Sequence, residues 1–155
     1  MARRPGFCNK EREASMKIAI IGSMKFAEDM IKIQQQLNEL GHTALVPLGT
    51  EPHLEDKEFA EDLDGNLEWC ITHDIMRRNF QQVANSDAVL VLNYKRNGVQ
   101  GYIGISALLE MGVAHFLRKK IFLIQETPNF TDARWAHEVA IMQPIIIKGD
   151  LRKIS

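Results

Sequence analysis

One carboxylate, Glu110, interrupts a stretch from Ile103 to Leu117 (IGISALLEMGVAHFL) that carries no other formal charge. A helix apolar nearly all round is a buried helix, and a buried carboxylate must be paired, hydrogen-bonded or shifted in pKa. Such a group has either a structural partner or a chemical task. Ser106, four residues earlier, is expected on the same helical face, near the end that Gly104 opens.

Two other segments carry groups suited to a small ligand. Gly22-Ser23-Met24-Lys25-Phe26 follows an apolar run, where Ser23 suits a helix cap and the free N–H groups behind it suit an anion. Taken alone, the segment reads first as an ordinary strand-to-helix turn, since neither a GxGxxG nor a GxxxxGK[ST] pattern is present. Asn93-Tyr94-Lys95-Arg96-Asn97-Gly98 follows another such run. Asn93 offers a donor and an acceptor, Tyr94 a stacking face, and Lys95 and Arg96 charge for a phosphate or simply for solvent. Gly101 and Gly104 permit close backbone approach before the Glu110 helix. Histidines paired with acids (His73-Asp74, His137-Glu138) are sequence neighbours and share no helix face, so no metal site is expected, and no cofactor.

The elements that position these residues alternate. Lys17–Gly22, His42–Pro47, Asp87–Asn93, Lys120–Gln125 and Pro144–Lys148 read as short buried strands. Helical periodicity marks Phe26 to Leu40, 68–84, the Glu110 segment, and 131–142 with Thr131 as its cap. Within 68–84, Ile71, Ile75, Phe80 and Val83 are expected to face inward. Residues 51–68 hold eight carboxylates against one lysine, which reads as a solvated surface segment with a short helix or as a lid over a crevice. Strands alternating with helices predict a single doubly wound, Rossmann-like or flavodoxin-like α/β domain over residues 16–155, with a five-stranded, mainly parallel sheet flanked by helices. In such sheets ligands bind beyond the carboxyl ends of the strands, so the three segments converge on one rim.

Composition narrows the partners. The chain has 155 residues, is 45% hydrophobic and 25% charged, and has a net charge of −1, which gives no basic face for a nucleic-acid polymer. No apolar run reaches the length of a membrane span. Cys8 and Cys70 form neither a disulfide framework nor a metal spacing, which fits a reducing, cytoplasmic setting. Residues 1–15 (MARRPGFCNKEREAS) lack an apolar signal core and read as a flexible extension.

The assembled pattern resembles the nucleoside 2-deoxyribosyltransferase superfamily, which includes the 2'-deoxynucleoside 5'-phosphate N-hydrolases. The resemblance rests on the glycine turn IIGSMKF, the strand SDAVLVLN, and Glu110-Met111-Gly112-Val113-Ala114 followed by KKIFLI, and it covers most of residues 16–125. It implies that Glu110 attacks the anomeric carbon of a nucleotide or nucleoside. Gly22, Ser23, Met24, Phe26, Asn93, Tyr94, Gly101, Gly104 and Ser106 would then contact the substrate. It implies a homodimer or larger homo-oligomer. Transferases carry aspartates where this chain has Asn93 and Gly104, and the N-hydrolases one where it has Asn79. An asparagine cannot deliver a proton as an aspartic acid can. The alternative expectation is therefore a catalytically inactive nucleotide-binding or sensing domain.

Overall fold

A computed structural model describes residues 14–155. β1 (Lys17–Gly22) leads through a 3-10 turn (Met24–Phe26) into α1 (Ala27–Glu39), and β2 (Thr43–Leu45) completes the first crossover. α2 (Thr50–Glu55), α3 (Leu63–Thr72) and α4 (Ile75–Ala84) follow in series before β3 (Ala88–Leu92). α5 (Ile105–Phe116), β4 (Lys120–Leu123), α6 (Trp135–Ile141), β5 (Ile145–Ile146) and a second 3-10 turn (Leu151–Lys153) complete the chain. The five strands are all parallel, in the order β2-β1-β3-β4-β5. This is a doubly wound α/β domain whose strand order reverses between β1 and β3.

Side chains alternate across the sheet with the two-residue period of a strand. Ile18, Ile20, Leu90, Leu92 and Phe122 bury one face against Met30 and Leu37 of α1, with Ile147, Leu151 and Ile154 closing its edge. Ala19, Ile21, Val89, Val91, Ile121 and Leu123 bury the other against Val83 of α4, Ala107, Met111 and Ala114 of α5, and Val139 of α6. Because both faces are covered, the strands read as unbroken apolar runs. The terminal GDLRKIS is part of this core, since Leu151 and Ile154 are buried.

Several boundaries differ from the sequence expectation. The helix expected over 68–84 is two helices, broken at Asp74, whose backbone is left-handed (φ 47°, ψ 45°). Aspartate tolerates that conformation better than most residues, and its carboxylate meets Arg77 Nε at 3.0 Å in solvent. Ile75 and Val83 are buried as expected and Phe80 is half-buried, but the break turns Ile71 outward to 70% exposure. The acidic segment is largely helical, and the Asp62 carboxylate caps α3 by accepting from Gly65 N at 3.2 Å. The helix expected from Thr131 starts at Trp135, because Asn129 Oδ1 holds Thr131 N and Oγ1 in a turn at 3.1 Å. The proposed extension lies outside the described residues except for Ala14 and Ser15, whose Oγ donates to the Gly41 carbonyl at 2.8 Å.

Candidate functional site

The structure separates the expected rim into two places. The first is the crevice where β1 and β3 end side by side, with Gly22 paired to Leu92 in register. Ser23 Oγ accepts from Lys25 N at 3.3 Å, capping the 3-10 turn, and from Arg96 Nη1 at 2.7 Å, bridging the two strand ends. Phe26 and Tyr94 make a second bridge, edge to face, with ring centroids 5.3 Å apart. Burial, reinforced by the Asp29 charge, pushes the Tyr94 phenol above its ordinary range. Gly22, Ser23, Phe26 and Tyr94 are thus brought together as expected.

Asn93 joins them in position but not in availability. It is fully buried; its amide donates to the Gln125 carbonyl at 2.8 Å and accepts from Gln125 N at 2.9 Å. These bonds extend the β3–β4 ladder past its last strand pair. An aspartate could accept from Gln125 N but not donate to its carbonyl, a physical reason for the amide here. Gly101 holds the next part of the loop. Its φ is +69°, and a Cβ there would run into the Glu126 carbonyl oxygen. Gly104 is the extended residue before α5.

Met24 lies on the α1 side of the crevice. With Lys25, His53, Leu54, Lys57 and Glu61 it walls a cavity of about 360 Å³, within the roughly 300–1,000 Å³ of ligand pockets. The acidic segment borders this cavity and is tied to the first crossover by two exposed ion pairs, Lys25–Glu61 at 3.0 Å and Lys57–Glu28 at 2.8 Å. His53 is buried there, its ring against Phe59 at 5.0 Å, and no sequence motif marks it.

Glu110 occupies the second place. It is 7% exposed, in a narrow gap between α5, β1 and α4 walled by Ala19, Ile20, Ile21, Pro47, Asn79, Gln82 and Val83. The gap is far below the size of a ligand pocket, and Glu110 is not among the walls of the cavity beside Met24. Desolvation raises its carboxyl from the usual 4.5 to about 7, and among the described residues no charge or hydrogen bond opposes it. Its polar neighbours are amides. Asn79 Oδ1 accepts from Leu48 N at 3.1 Å and Gln82 Nε2 donates to the Val46 carbonyl at 2.8 Å, so both tie the chain after β2 to α4. Asn79 was legible through the resemblance; Gln82, three residues on, could have been found from helical spacing alone. Asp74 is outside this gap, paired with Arg77. Ser106 is exposed on the first turn of α5, so it does not share the burial of Glu110.

Among the described residues no group of three or more His, Cys, Asp and Glu side chains gathers as a metal site would, and no helix is long and apolar enough to cross a membrane. No protein-family model matches the chain, and no curated protein sequence matches it.

The unpaired state of Glu110 has a thermodynamic consequence. A carboxyl raised to about 7 in the folded chain and near 4.5 in the unfolded one binds more protons when folded between those values. Its contribution is fully present below pH 4.5 and is lost as pH rises through 7, a total of about 3 kcal/mol. Glu110→Gln, which imitates the protonated form, is expected to unfold at higher urea than wild type at pH 8. The two should converge near pH 4.5. Parallel pH profiles for the two proteins would contradict the burial argument.

Proposed function

We propose that the protein cleaves, or transfers across, the N-glycosidic bond of a nucleotide or nucleoside, with Glu110 as nucleophile, in a reducing compartment. The observation that carries this reading is the unpaired Glu110 carboxylate beside Ile21, one residue short of the Gly22 turn at the strand-order switch. In the reaction a carboxylate oxygen forms a bond to the anomeric carbon as the carbon–nitrogen bond breaks and the base departs with the electron pair. Water, or a second base, then displaces the carboxylate and restores it. Only the ionised form attacks, and a pKa near 7 leaves about half of it ionised at neutral pH. Desolvation that costs stability also leaves the carboxylate poorly hydrated and therefore more reactive. Access for a nucleotide requires the wall of Pro47, Asn79 and Gln82 to move, because the gap is far smaller than a ligand pocket.

A second reading, a nucleotide-binding domain without turnover, is favoured by a specific observation. The groups around Glu110 are amides, and neither Asn79 nor Gln82 can protonate a departing base. The cavity beside Met24 and His53, moreover, is walled by other residues.

Incubation of the purified protein with a panel of nucleotides and nucleosides, followed by chromatography for free base, separates the two. The first reading expects release that Glu110→Ala abolishes and that rises with pH to a plateau above about 7. No release by wild type, or equal release by the variant, would refute it; binding without release would establish the second.

The homo-oligomer that the resemblance implies has a surface suited to a second copy. Ile105, Leu109 and Phe116 are exposed along α5, and Gly112 between them has open space above it. Steps of four, three and four residues make this a continuous helical seam. Light scattering coupled to size exclusion is expected to give a dimer or larger species for wild type and a monomer for Phe116→Glu. A wild-type monomer at micromolar concentration would contradict it.

A further inference from the structure

The loop between β3 and α5 holds an arginine in a setting that its protein contacts do not explain. Arg96 and Val99 exchange backbone hydrogen bonds at 3.1 and 2.9 Å. Asn97 (φ 51°) and Gly98 (φ 75°) form the two-residue tip. Two consecutive positive φ values define a tight hairpin turn for which Asn-Gly is the most suitable pair. The arginine backbone is therefore pinned, and its side chain is directed across the crevice to Ser23.

The guanidinium is only half used. Nη1 donates to Ser23 Oγ, and the Tyr102 ring lies 5.9 Å from the guanidinium carbon. Nε is buried and has no hydrogen-bond partner. Among the described residues no carboxylate lies within ion-pair distance of Arg96, and Nη2 makes no hydrogen bond to protein. A buried donor left without an acceptor destabilises the fold, and more so when it is charged. The unused edge, Nε with Nη2, is the one that grips two oxygens of a carboxylate or phosphate side by side. Ser23 supplies a second unused donor at the same point. Its oxygen accepts from Arg96 and Lys25, while its own hydroxyl proton meets no acceptor among the described residues.

We propose that Arg96 and Ser23 form an oxoanion-binding site at the mouth of the β1–β3 crevice, taking the phosphate or carboxylate of a small molecule. The Nε–Nη2 edge holds two of its oxygens and the Ser23 hydroxyl donates to it. This inference goes beyond the glycosidic reading and stands whether or not Glu110 performs chemistry.

Calorimetric titration of wild type, Arg96→Gln, Arg96→Lys and Ser23→Ala tests it, using inorganic phosphate, acetate, a nucleoside monophosphate and the parent nucleoside as separate probes. Wild type is expected to bind at least one anion saturably and to prefer the monophosphate over its nucleoside. Arg96→Gln should lose about tenfold or more of that affinity, Arg96→Lys most of it because the fork is gone, and Ser23→Ala a smaller part. Circular dichroism establishes that each variant is folded. If Arg96→Gln does not fold, loss in Ser23→Ala decides in favour and unchanged affinity decides against. The site is overturned if no anion binds at millimolar concentration, if wild type and Arg96→Gln bind alike, or if nucleoside and monophosphate bind equally. Arg96-dependent anion binding without base release would support this site while counting against the glycosidic proposal.

Discussion

The pairing of β1 with β3 is the constraint on which the rest of the molecule depends. These two strands share five register pairs at the centre of the sheet, yet their connections leave in opposite directions. The chain after β1 crosses one face through α1 to the β2 edge, and the chain after β3 crosses the other through α5 to β4. Parallel strands joined this way leave an opening above their carboxyl ends, because neither connection fills it. The Ser23–Arg96 and Phe26–Tyr94 bridges both span that opening. The apolar alternation of Ile18 to Ile21 and of Ala88 to Leu92 therefore does more than fill a core, since it brings two polar turns to one point.

Glu110 shows how the same packing creates a chemical problem. α5 must bury Ala107, Met111 and Ala114 against the sheet, and helical geometry carries Glu110 inward with them. Replacing it with an apolar residue would relieve the desolvation cost, and among the described residues no salt bridge or hydrogen bond offsets that cost. Its neighbours pull the other way: Asn79 and Gln82 secure the segment after β2, so the wall that hides Glu110 is held by two side-chain hydrogen bonds. A carboxylate kept at a cost behind a lightly fastened wall is coherent if the wall opens to a ligand.

Much of the architecture was legible in the chain because strands buried on both faces write their limits as uninterrupted Val, Ile and Leu. The central β1 and β3 matched expectation almost residue for residue, while the edge strands β2 and β5 proved shorter, having partners on one side only. The break at Asp74 was hidden because helical periodicity continues through it in Ile71 and Ile75, and a single left-handed residue leaves no trace in the pattern. Ser106 shared a helix face with Glu110 by spacing, but it is exposed on the first turn of α5 while Glu110 is buried. Asn93 was recognisable as a polar residue at a strand end; that its amide is consumed by Gln125 depends on a partner 32 residues away. The half-used guanidinium of Arg96 is likewise a property of three-dimensional neighbours, invisible in a turn that reads as solvated.

The proposed reaction requires Glu110 to be an unpaired, desolvated carboxylate whose surroundings a nucleotide can enter. Carbon-13 NMR titration of the Glu110 carboxyl, with and without saturating nucleoside monophosphate, tests it most directly. A midpoint near 7 in the free protein and a displaced midpoint in the complex are expected. A midpoint near 4.5 in the free protein, or one that the nucleotide leaves unmoved, would contradict it.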